Sequence, residues 1–225
     1  MSAWLNELIS GIVGFVGGIV GYVVSTRLKP EFKLVGITGN ELDINFYGQN
    51  VTVIQCGARL EVRYHWRIGE RFVTRNATGW VGVLRDNNIE LHGASAAWAL
   101  PNDPVSTNIV GRESLILFRL VPAWGPLGNI KPNSVCQNIN QFVNKQYILV
   151  FPPGNVMCAR YHINQPQLFS QCASDVDENN TIKFRAAAEN ANGIECNARL
   201  GDVIRACLES YCRNKVPMKN NVKCL

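Results

Sequence analysis

The residues with most to offer chemically are eight cysteines and three histidines, and their spacing decides what they offer. The cysteines are Cys56, Cys136, Cys158, Cys172, Cys196, Cys207, Cys212 and Cys224. Structural zinc wants ligand pairs close together, such as C-x-x-C or H-x-x-x-H. The chain has no C-x-x-C; Cys207 and Cys212 come nearest, and five positions on a helix splay two thiolates. No metal ligand is expected. His65 lies between the solvated Arg63 and Arg67, and neither His92 nor His162 adjoins an acidic residue. A thiol nucleophile needs a base within hydrogen-bond reach, and nothing singles out one cysteine for that role.

Two glycine-bearing stretches also lack the features of a reaction site. Gly93-Ala94-Ser95-Ala96-Ala97 departs from a nucleophile elbow at its last position and reads as a loop of small residues. The glycines from Gly11 to Gly21 lack the Lys-Ser/Thr of a phosphate loop. No catalytic residue and no cofactor is expected. The even cysteine count, with seven from Cys136 on, suits disulfides instead; eight cysteines allow 105 pairings, so none is chosen.

The chain that must hold these residues has 225 of them, 47% hydrophobic and 17% charged, with a formal net charge of +5. So low a charged fraction excludes a disordered chain and a coiled coil. The small positive balance does not by itself imply nucleic acid, and none is expected as a partner. Residues Leu8 to Thr26 carry no charge. At ~1.5 Å per residue this uncharged stretch makes a helix of ~28 Å, close to the ~30 Å of a hydrocarbon core. Trp4 and Tyr22 stand near its ends, Arg27, Lys29 and Lys33 follow, and Pro30 stops it. The expected organisation is a transmembrane anchor helix over 1–29 and a β domain over 30–225, irregular at about 122–144. A cleaved signal and a buried core helix are the competing readings; against the first, the segment has no basic leader.

The anchor is sided. On a helical wheel Ser10, Gly11, Gly14, Gly17, Gly18, Gly21 and Ser25 share a sector of about 120°. Gly14/Gly18 and Gly17/Gly21 are G-x-x-x-G pairs, which let helix backbones approach closely in lipid. The expected partners are membrane lipid and another transmembrane helix, from a second copy or another subunit.

Beyond the anchor the pattern is β-rich. Ala58, Leu60, Val62, Tyr64, Trp66 and Ile68 alternate with Arg59, Glu61, Arg63, His65 and Arg67, which marks a long strand with one wet face. Further strands are expected over 32–37, 41–46, 78–84, 114–121, 146–151, 156–163, 181–188 and 194–200. Gly39-Asn40, Asp86-Asn87-Asn88 and Pro152-Pro153-Gly154 read as turns. Residues 202–212 read as a short C-terminal helix capped by Asp202, or as a continuing strand. Trp66, Trp80, Trp98 and Trp124 are expected in the core. The fold class is mainly β: an anchor followed by an immunoglobulin-like or related β-sandwich.

The Gly-rich span, Arg27-Leu28-Lys29-Pro30, and the stretches VIQCGARLEV (53–62), IVGRESLIL (109–117) and KFRAAAENA (183–191) resemble uncharacterised single-span membrane proteins of thermophilic archaea. The resemblance covers the anchor and about two thirds of the domain; it implies a tethered sandwich and no activity. The cysteine-rich part from Cys136 on departs from it.

The function expected is that of a single-pass, non-enzymatic interaction or assembly protein of the cell membrane, with an unidentified protein partner. A pilin-like secreted filament subunit and a membrane-tethered thiol enzyme are the alternatives. Arg27, Lys29 and Lys33 are candidate headgroup contacts. They favour a cytoplasmic domain by the positive-inside rule. The cysteines, and 24 asparagines, favour an outside one. The strip of Arg59, Arg63 and Arg67 reads first as a solvated face and second as a headgroup contact.

Overall fold

The computed structural model describes residues 29–63, 73–85, 90–123, 132–153, 157–163, 169–213 and 223–224. The anchor helix, Ser10, Gly11, Gly14, Gly17, Gly18, Gly21 and Arg27, lies outside the described residues. So do Trp66, Trp124 and the far half of the alternating strand from Tyr64 to Ile68. Among the described residues no helix is long and apolar enough to cross a membrane.

Two long strands form the backbone of the fold. β1 (Glu31–Phe46) and β2 (Gln49–Arg63) pair antiparallel along their whole length. Their turn is Tyr47-Gly48, both at positive φ (49° and 80°), the conformation that matches the strands' own twist. Gly39-Asn40 is no turn, contrary to the sequence pattern: β1 runs straight through it. Gly39 is there for a tertiary reason, because a Cβ would run into the carbonyl oxygen of Cys207 on the C-terminal helix.

The remaining strands are β3 (Ala77–Leu84), β4 (Glu90–Ala96), β5 (Ser106–Thr107), β6 (Arg112–Pro122), β7 (Tyr147–Phe151), β8 (Met157–Tyr161), β9 (Ser174–Val176), β10 (Thr181–Ala188), β11 (Ala191–Arg199) and β12 (Lys223–Cys224). They join in one path, β4-β3-β10-β11-β1-β2-β6-β7-β8-β9, with β5 beside β3 and β12 beside β11. The described chain is therefore mainly β, but its strands follow a single hydrogen-bonded path where two separate sandwich sheets were expected.

That path curls back on itself. Beyond β4, the amide of Ile116 donates to the carbonyl of Ala97 and that of Ala99 to Ser114, both at 2.8 Å, around the Trp98/Leu115 bridge. Seven strands from β4 to β6 so enclose a barrel-like core. Their inward side chains include Cys56, Ala58 and Leu60 of β2, Val81 and Val83 of β3, Ile182 and Phe184 of β10 and Ile194 of β11. Trp98 is fully buried, stacks on Phe32 at 6.3 Å, and donates its indole N–H to Ala77 at 2.9 Å. Trp80, expected in the core, stays partly exposed beneath Arg185, 5.3 Å from its ring centroid.

β1 and β11 share only one register pair, Glu31 with Asn192. The C-terminal helix packs against both strands. Three helices are described: α1 (Pro132–Gln137), α2 (Ile139–Val143) and α3 (Leu200–Arg213). α3 starts two residues before the expected Asp202 cap, so Asp202 sits in its first turn. Val203, Cys207 and Leu208 are buried at the helical spacing read from the sequence, which excludes the continuing strand. The last carbonyls of α2 are capped by phenols: Tyr147 donates to Phe142 (3.0 Å) and Tyr161 to Val143 (3.1 Å). Burial pushes both tyrosine pKa values up.

The outer half of the β1–β2 hairpin, the end of β6 and β7–β9 extend past the barrel as a wing. Its outward face carries a second apolar cluster of Ile44, Phe46, Val51, Val53, Val121, Ile148 and Val150.

Candidate functional site

The cysteines come together as the sequence allowed but could not specify. Cys56 of β2 bonds Cys207 of α3, both fully buried, across 151 residues of chain. Cys136 of α1 bonds Cys212 of α3. Cys158 of β8 bonds Cys172 in the wing. Cys196 is disulfide-bonded too, and its backbone partner across β11 and β12 is Cys224. Among the described residues no cysteine is free, so none of those stands as a thiolate nucleophile in this state.

The other residues with reactive side chains fall into structural clusters. Ser95 lies within β4 opposite Trp80, and not at a strand-to-helix elbow. Arg119, nearly buried, pairs with Asp103 and donates to Gln55 at 3.0 Å. Arg160 grips Asp175 through Nε (2.6 Å) and Nη2 (3.2 Å) and also donates to the carbonyl of Phe169. Its hydrogen bonds hold the Asp175 carboxyl below the ordinary aspartate value. His162, at φ 54°, brings Nε2 within 2.8 Å of Glu178 Oε2. The atoms are close but out of line for a hydrogen bond, so this is a contact rather than a directed bond. Among the described residues no cluster of His, Cys, Asp or Glu is arranged to hold a metal.

The built surface lies at the barrel end where the chain enters. Antiparallel register puts directly opposed residues on one face. Lys33, Glu61 and Arg112 stand in one row across β1, β2 and β6. Arg59 is opposite Gly36 and Ser114 one step along, and Arg63 is opposite Glu31. The alternation read from 58 to 63 therefore holds, with Arg59, Glu61 and Arg63 outward. Glu61 is the hub: Arg63 Nε is 2.9 Å from one oxygen, and Arg112 Nε 3.0 Å from the other. Those bonds, Arg63 first, lower the Glu61 pKa below its ordinary 4.5. Both arginine side chains keep about half their surface in water (50% and 53%). Lys29 and Lys33, two of the three expected headgroup contacts, are exposed beside them.

Backbone bonds close this end of the barrel. The amide of Asn192 donates to Pro30 at 2.7 Å, and that of Val62 to Gly111 at 2.9 Å. The Asn190 side chain accepts from the Arg75 amide (2.8 Å) and donates to the Val73 carbonyl (3.1 Å). Val73 bridges Val110, and both valines are exposed (41% and 50%). Sequence reasoning missed these valines. Neither belongs to a periodic run, and only the long-range bridge brings them together. No family model, curated protein or solved structure matches this chain.

Proposed function

We propose that this is a single-pass membrane-anchored protein, of the kind it resembles in thermophilic archaea, that works by assembly and not by turnover. Residues 8–26 form the anchor, and the glycine face packs on another transmembrane helix from a second copy or another subunit. The β domain is its display surface for a protein partner. The observation that carries this reading is the continuity between the two parts: the uncharged segment leads directly into the basic end of the barrel at Lys29 and Pro30.

The disulfides, together with a charged fraction of only 17%, support a domain on the oxidising side of the membrane: hyperthermophile proteins that keep such bonds inside the cell are rich in Lys and Glu, and this chain is not. The basic flank then serves as a headgroup contact, where on charge alone it would argue for the cytoplasm. The test is extraction of membranes carrying the full chain with alkaline carbonate, followed by protease treatment of intact cells. The anchored reading expects the chain to stay with the membrane and the domain to be cut from outside. Release by carbonate contradicts the anchor, and a protected domain reverses the side. Fibres that resist detergent would instead support a filament subunit.

A further inference from the structure

We propose that the basic end of the barrel does not hang below the anchor on a free tether but seats directly on an anionic bilayer surface. Val73 and Val110 enter the headgroup layer there, and Lys33, Arg63, Arg75 and Arg112 pair with lipid phosphates. The inference rests on the anchored reading and adds a contact that the anchor alone does not require.

Three observations carry it. The first is placement. Pro30 accepts from the Asn192 amide, and Asn190, two residues before Asn192 in sequence, is bonded to Val73 and Arg75. The chain thus enters the domain beside the segment 190–192 that also holds Val73, and Arg27, Leu28 and Lys29 lie in sequence between Pro30 and the uncharged segment. The second is chemistry. An exposed apolar pair flanked by cations is what a headgroup boundary takes up, with apolar atoms inward and long basic side chains reaching phosphate. The third is charge. Arg63 and Arg112 share one carboxylate, Glu61, and the acids nearby are Glu31, opposite Arg63, and Glu189, beside Arg75; Lys29, Lys33, Arg63, Arg75 and Arg112 outnumber them, so this end keeps a net positive charge. A bilayer bearing negative headgroups complements this surface.

The test uses the full chain reconstituted into vesicles of phosphatidylcholine, alone or mixed equally with phosphatidylglycerol, with bromine on the upper acyl carbons as a contact quencher. Val110→Trp reports the seated end. Tyr47→Trp reports the hairpin tip, about 50 Å away along β1 at ~3.3 Å per residue. Emission is read as the difference from the parent chain. The expected result is strong quenching at position 110 in the anionic vesicles, weak quenching there in neutral ones, and none at position 47. Lys33→Gln with Arg75→Gln should then lower the seated-to-standing ratio about thirtyfold, at ~1 kcal/mol for each basic residue.

A chain that floats with the vesicles but shows no quenching at position 110 overturns the seating and leaves the anchor standing. Equal quenching at 47 and 110 means a domain lying on its side, and also overturns it. Protection of position 110 that follows protein density and ignores lipid charge assigns the patch to a second copy. A chain that fails to float removes both the anchor and the seating.

Discussion

The two ends of β2 share one face of one strand and meet opposite fates. On its outward side Val51 and Val53 are fully buried in the wing's second cluster, whereas Arg59, Glu61 and Arg63 at the barrel end face water. Gln55, between them, receives Arg119. On the inward side Ile54, Cys56, Ala58 and Leu60 run unbroken through the main core. A strand face is thus not wet or dry as a whole; what crosses over it decides, position by position. The regions also differ in how they are tied. A buried disulfide across 151 residues joins barrel to helix, while one across 14 residues and an exposed Arg160–Asp175 pair tie the wing.

The largest expected effect breaks the tie of the barrel. Loop-closure entropy gives about 5 kcal/mol for a loop as long as that closed by Cys56–Cys207 and about 3 kcal/mol for one as short as that closed by Cys158–Cys172. Cys56→Ala with Cys207→Ala should therefore lower the calorimetric Tm more than Cys158→Ala with Cys172→Ala. Equal losses would mean that both regions unfold as one unit whose stability ignores loop length.

Exchanging the two fates of β2 comes next. Val53→Arg buries a charge with no partner and should cost about 4 kcal/mol in denaturant unfolding; Arg59→Val, on the exposed half, should stay within ~0.5 kcal/mol. If Val53→Arg is tolerated, the second cluster is not a core. Smaller again is Gly39→Ala, where the new methyl meets the α3 backbone. Overpacking there should cost about 2 kcal/mol and weaken the near-ultraviolet dichroism of Tyr211, whose hydroxyl bonds Glu41 at 2.6 Å.

The smallest effect is on pH. Asp175 has a lowered pKa, so the unfolded chain takes up its proton first as pH falls. Its contribution is complete above the ordinary 3.8 and is lost as pH drops through the lowered folded value. Asp175→Asn should flatten the acid limb of the stability curve slightly, because the carboxylate is largely exposed (61%).

The comparison also shows what was legible in the sequence. Where one face of an element is wet, periodicity exposes it: residues 58–63 and the apolar stripe of α3 were readable for that reason. Residues 49–57 were not read as strand, since Val51, Val53, Ile54 and Cys56 are apolar on both faces and erase the alternation. Gly39-Asn40 imitated a turn because the helix that requires Gly39 lies far along the chain. Residues 93–97 read as a loop because Gly93-Ala94-Ser95-Ala96 carries little strand signal, yet those four residues form the end of β4. The curl, the disulfide pairing and the Val73–Val110 pair all depend on contacts between distant segments, which local spacing does not encode.

The most direct single measurement is the intact mass of the membrane-retained protein, taken with and without reduction. The account predicts one species that still carries the residues of the apolar segment and gains eight hydrogens on reduction, one for each cysteine. A membrane-free species lacking residues 8–26, or one that gains no mass on reduction, would contradict it.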